Sequence, residues 1–155
     1  MDFNNVNKEY IKSHNFKYIG LEKEKKDNIS YRLGDKDVIP LSPEKKLSKL
    51  RRKCSDIVNL RFKNDFKKIE LNCDITENTM RKYINGSRNI TKIALAKLCV
   101  GVPLEIREAD EMFILFGSRL DIENNLFDAI LVDNLKKKEG IDIFLEECKK
   151  YKINI

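Results

Sequence analysis

The pattern of apolar and polar positions divides the chain near residue 42. Beyond it, apolar residues recur at helical spacing almost without interruption. Ser42-Pro43-Glu44 has the chemistry of a helix start: a capping hydroxyl, a proline at the first helical position and an acid near the positive end. Leu47, Leu50, Cys54, Ile57 and Val58 then predict a helix through about residue 61, with Lys45, Lys46, Lys49, Arg51, Arg52 and Lys53 on its opposite face. A second helix is expected from Asp65, with Phe66, Ile69 and Cys73 on one side and Asp74 as its breaker. Thr76 caps a third, which buries Met80, Tyr83 and Ile84 and ends at Asn85-Gly86, a pair suited to positive φ.

Thr91 opens a fourth helix running to Gly101. A fifth is expected from Pro103 to Gly117, and a sixth from about Asn124 to Lys138. A last one is capped by Asp142. Residues 1–41 are less well specified. Phe16–Ile19 and Ile29–Leu33 alternate on either side of a polar run, which fits a β-hairpin or an arm without fixed structure. The expected fold is therefore all-α, with an N-terminal extension (1–41), a helical unit (42–102) and a C-terminal helical extension (103–155).

Charge sharpens this division. The net charge of +6 is unevenly placed: +1 over residues 1–41, +8 over 42–92 and −3 over 93–155. A basic block beside an acidic one is the footprint of a polyanion-binding module joined to something else. Cys54, Cys73, Cys99 and Cys148 are scattered and never form a CxxC pair, so reduced, buried thiols are expected. With His14 as the sole histidine, neither a metal site nor a cofactor is expected. The nucleophile, P-loop and zinc-protease motifs are absent, and the carboxylates of 105–147 fall at positions read as solvent-facing. An enzyme is not expected. No apolar run approaches a membrane span and no secretory signal opens the sequence, so a cytoplasmic protein with no membrane partner is expected.

Asp65–Gly86 has the layout of a helix-turn-helix: two short helices around Asp74-Ile75-Thr76, locked by apolar residues at 69, 73, 75, 80 and 83. Such a unit offers its second helix to the major groove of DNA, where base edges carry a distinct donor and acceptor code. The outward positions are Glu77, Asn78, Thr79, Arg81 and Lys82. Asparagine can pair with adenine, lysine or arginine with guanine, and glutamate with the cytosine amino group. Lys45, Lys46, Asn85, Arg88 and Lys92 flank them as candidate phosphate contacts.

The stretch Ile75–Gly86, continuing Ser87-Arg88-Asn89, resembles the recognition helix of the Xre/Cro-like phage-repressor family. Ser87 stands where that family usually has lysine. Thr91–Gly101 resembles the family's fourth helix. Glu108-Ala109-Asp110-Glu111-Met112-Phe113, Leu115-Phe116-Gly117, Asp128-Ala129-Ile130 and Gly140-Ile141-Asp142 resemble successive segments of one subgroup. The resemblance spans about residues 45–150. It implies a lambda-repressor-like bundle in which Glu77, Asn78 and Lys82 face bases, with Thr79 or Arg81 beside them, and Asn85 meets phosphate. Three departures stand out: Glu70 for a small alanine, Asp74 for a turn glycine, and Phe66 for a phosphate-touching glutamine.

Sequence and resemblance together lead to a sequence-specific regulator of transcription that binds double-stranded DNA. The competing expectation is a protein-interaction module or inhibitor on the same scaffold, using the N-terminal arm. A homodimer is expected through residues 103–152, because Met112, Phe113, Phe116, Leu126, Phe127, Ile130, Leu131, Leu135, Phe144 and Leu145 make more apolar stripe than three short helices can easily hide; the alternatives are that these helices cap the core of residues 45–102, or that the dimer forms by strand exchange at Phe16–Ile19 of the arm.

Overall fold

The computed structural model describes residues 2–21 and 41–155. They form eight α-helices: α1 (Lys8–Ser13), α2 (Pro43–Asp56), α3 (Phe66–Cys73), α4 (Glu77–Asn85), α5 (Lys92–Gly101), α6 (Ile106–Phe116), α7 (Leu126–Lys137) and α8 (Ile141–Lys150). A π-helical turn, Ile57–Arg61, prolongs α2.

Local chemistry sets most of the helix ends. The side chains of Ser42, Asp65, Thr76 and Thr91 each accept a hydrogen bond from the backbone N–H three residues on, satisfying a donor the helix leaves unpaired. Asp74 closes α3 in the left-handed region at φ 58°, and Gly86 closes α4 at φ 85°. Later starts differ from expectation. The helix expected from Pro103 begins at Ile106, because Glu105 and Glu108 form a reciprocal capping box. Asp142 lies in the first turn of α8, and Gly140 holds its cap position.

The core is one continuous cluster from Val6 to Ile153. Its centre is α5, where Ala94–Ala96 and Leu98–Val100 are buried, packed among α3, α6, α7 and α8. Every residue of α7 from Leu126 to Leu135 is buried as well. Residues 103–155 therefore complete the core of 42–102. The stripe expected to form a dimer face is consumed within one chain: Phe113, Phe127, Leu131 and Phe144 are fully buried, and Phe116 and Leu145 pack against them partly buried.

Full burial of α7 also corrects the reading of its acids. Asp128 and Asp133 lie inside the protein, each held by lysine: Asp128 by Lys92, Asp133 by Lys8 at 2.6 Å and Lys137 at 3.0 Å. Buried carboxylates persist only when paired in this way.

Residues 2–21 are not a free arm. Val6 and Ile11 are buried in the common core, and α1 packs on α7. Lys136 donates from Nζ to the carbonyls of Asn4 and Val6. Tyr18 pairs by backbone with the start of α7, donating to the Asn124 carbonyl and accepting from Leu126 N–H. Its hairpin partner in the sequence reading, Ile29–Leu33, lies outside the described residues. Among the described residues no helix is long and apolar enough to cross a membrane.

Candidate nucleic-acid interface

Two short helices and the turn between them make the most distinctive polar surface of the basic region. Ile69 and Cys73 of α3, Ile75 of the turn, and Met80 and Tyr83 of α4 are all buried. They fix α4 against α3 and α2. The left-handed Asp74 makes the sharp reversal, and Lys97 Nζ holds its carboxylate at 2.8 Å. Glu70 faces solvent, so its larger side chain does not intrude between the helices. Gly101 marks a close approach behind them: a Cβ there would lie 2.3 Å from Cys73 Sγ and 2.6 Å from the Asn72 carbonyl oxygen.

Because the apolar side of α4 is buried, its polar side is outward. Glu77, Asn78, Arg81, Lys82 and Asn85 are exposed. Thr79 is half-buried and its hydroxyl accepts from Thr76, which leaves it the least exposed of the five candidate base contacts. Glu77 and Arg81 are tied together, with Arg81 Nε donating to Glu77 Oε2 at 2.7 Å. The Arg81 guanidinium also lies over the Phe66 ring, 4.2 Å from its centroid. Asn78 and Lys82, one turn apart, carry no such tie. The Asn85 side-chain oxygen accepts from Ser87 N–H and from its hydroxyl, so its amide N–H groups are the donors left over.

The other candidate cations lie on α2 and beyond the end of α4. Lys45 is exposed in the first turn of α2 and Lys46 is half-buried. Arg88 sits beyond the α4 terminus, its guanidinium 5.9 Å from the centre of the Tyr83 ring. Arg51, on the basic side of α2, is a further cation that helical spacing does not single out. Its guanidinium crosses directly over Gly86, 3.0 Å from where a Cβ would stand. Arg51 and Arg88 both border a small recess floored by Tyr83 and Ile90. The sequence signal for this placement is Gly86, which allows both the positive φ and the close crossing.

Lys92 does not belong to the set. Its side chain is only 11% exposed, and Nζ lies 2.8 Å from Asp128 Oδ1 and over the Phe127 ring. An ammonium inside the protein on a buried carboxylate cannot meet a phosphate, and its role is structural. The reason is tertiary: α7 packs on the first turn of α5 and takes the lysine with it. All four cysteines are free and buried.

No protein-family model, curated protein or solved structure matches the chain.

Proposed function

We propose that the protein binds double-stranded DNA as a sequence-specific regulator of transcription. In this reading α3, the turn at 74–76 and α4 act as a helix-turn-helix, with α4 in the major groove. The supporting observation is the outward face of α4. It is a short helix, held rigid by Met80 and Tyr83, that presents Asn78 and Lys82 free on one face, a turn apart. Both side chains can read base edges. Lys45, Arg51 and Arg88 supply cations for the flanking phosphates, and Asn85 an amide donor. Phosphate contacts position such a protein, and base contacts give it sequence preference. A palindromic site read by two chains suits a unit that covers few base pairs.

Selection of bound duplexes from a random pool, followed by salt titration on the selected site, tests this. The expected result is one enriched motif whose affinity falls steeply with salt. Failure of the full chain to enrich any duplex sequence would overturn the reading.

A further inference from the structure

Phe66 opens α3 and Arg81 stands in the second turn of α4, so their contact joins the two helices across the turn. The Phe66 ring is buried, and the Arg81 guanidinium covers it at 4.2 Å. Glu77, one turn earlier on α4, accepts the Nε hydrogen at 2.7 Å. One face and one edge of the guanidinium are thereby occupied. The two Nη groups have no protein acceptor among the described residues, and the side chain is 56% exposed. A long flexible side chain is thus restrained in two directions, with its outer fork left open.

The charge balance says what the fork suits. Glu77 offsets the charge of Arg81 locally, so the pair is a poor anchor for phosphate, which is attracted by net positive charge. A neutral pair of acceptors in one plane is different. Such a pair, which guanine N7 and O6 present in the major groove, accepts from two N–H donors at fixed spacing. We infer that Arg81 reads a guanine through its Nη groups, and that Phe66 and Glu77 are positioning residues that aim it. This rests on the DNA-binding reading and narrows it. It moves Glu77 from base contact to support, and it gives Phe66 a use.

The test is selection from a random duplex pool with the full chain and its Arg81→Gln, Glu77→Gln, Phe66→Leu and Phe66→Tyr variants, with salt titrations on the selected site. The wild-type half-site should hold a guanine preferred about 10- to 100-fold over other bases. Arg81→Gln should flatten that position alone and leave the salt slope unchanged. Glu77→Gln and Phe66→Leu should lower the guanine preference severalfold, whereas Phe66→Tyr keeps it because the aromatic face remains. A thermal melt of each variant separates loss of aim from loss of fold, and Arg81→Gln and Glu77→Gln change only exposed side chains. If Arg81→Gln leaves the wild-type motif intact, or makes the salt slope shallower by about one as a lost phosphate contact does, the inference is wrong while DNA binding stands. If the wild-type chain enriches no motif, the inference falls together with the DNA-binding reading.

Discussion

Lys92 Nζ lies 2.8 Å from Asp128 Oδ1, joining the first turn of α5 to the first turn of α7 inside the protein. The same carboxylate accepts from Asp121 N–H at 2.9 Å, so the pair also holds the loop before α7. Removing the lysine takes the countercharge from a buried carboxylate. Lys92→Ala should cost about 3–5 kcal/mol in stability, read from denaturant unfolding. Affinity for DNA, measured where the variant is still folded, should not change. A variant as stable as wild type but with a shallower salt slope would return Lys92 to the phosphate contacts.

Gly101→Ala should destabilise the protein although alanine favours helices. Its Cβ would meet Cys73 Sγ at 2.3 Å and the Asn72 carbonyl at 2.6 Å, and backbone cannot swing aside as a flexible side chain can. The helices would have to part, at a cost of about 1–3 kcal/mol. Thermal melting of the single variant suffices; a rise in Tm would show that α3 and α5 do not approach so closely.

A chain ended at Gly101 should not melt cooperatively. Leu95, Leu98 and Cys99 have no exposure in the full chain, and α6, α7 and α8 are part of what covers them. The full chain, by contrast, should show a Tm independent of its own concentration, since its core closes within one chain. Calorimetry over about a hundredfold range of concentration checks this second point. A Tm that climbs with concentration would mean that a second chain completes the fold.

The contrast between Thr76 and Asp128 shows what the sequence could reveal. A cap is local: Thr76 needs only its own hydroxyl and the N–H of Thr79, so the helix starts at Ser42, Asp65, Thr76 and Thr91 were all legible. The breaks at Asp74 and Gly86 were legible for the same reason. Asp128 and Asp133 are polar residues made internal by lysines from α5, α1 and α7, and no periodicity signals that. α1 has six residues, too few for a repeat, and its cap Asn7 lies in a polar stretch. At the candidate site the outward residues of α4 followed from spacing. The crossing of Arg51 over Gly86 and the stacking of Arg81 on Phe66 depend on how helices pack, which spacing does not encode.

The cysteines give a pH dependence. Burial pushes the thiols of Cys54, Cys73 and Cys148 up to about 12, and Cys99 higher still, from an ordinary value of 9.0. A raised folded pKa favours the fold while the thiol stays protonated in both states. Once pH passes the unfolded value, the unfolded chain ionises first and stability is lost, up to the folded value. Between about pH 9 and pH 12 each thiol should therefore cost about 1.4 kcal/mol per pH unit. Denaturant melts at pH 8 and pH 10 should differ by several kcal/mol, and replacing Cys54 by alanine should shrink the difference. Below pH 8 a thiol reagent should modify the cysteines only at the rate of unfolding; rapid labelling of the native protein would contradict their burial.

Base reading and phosphate contact should separate cleanly by variant. Asn78 and Lys82 stand on the exposed face of α4 without ties to other side chains, and in the proposed reading each contacts one base edge. Asn78→Ala and Lys82→Ala should each cost about 1–3 kcal/mol on the selected site and relax the preference at one position. Lys45 and Arg88 stand outside α4, and Arg51 reaches its end from α2. Charge attraction to phosphate ignores sequence, so Lys45→Ala, Arg51→Ala and Arg88→Ala should weaken selected and random duplexes by the same factor. Each should also reduce the slope of log affinity against log salt by about one. Arg51 is the sharpest case, because its crossing over Gly86 distinguishes it from Arg52 and Lys53, its neighbours on α2. If Arg52→Ala changes the slope and Arg51→Ala does not, the phosphate path lies across the other face of α2 and the recess at Tyr83 is not part of it.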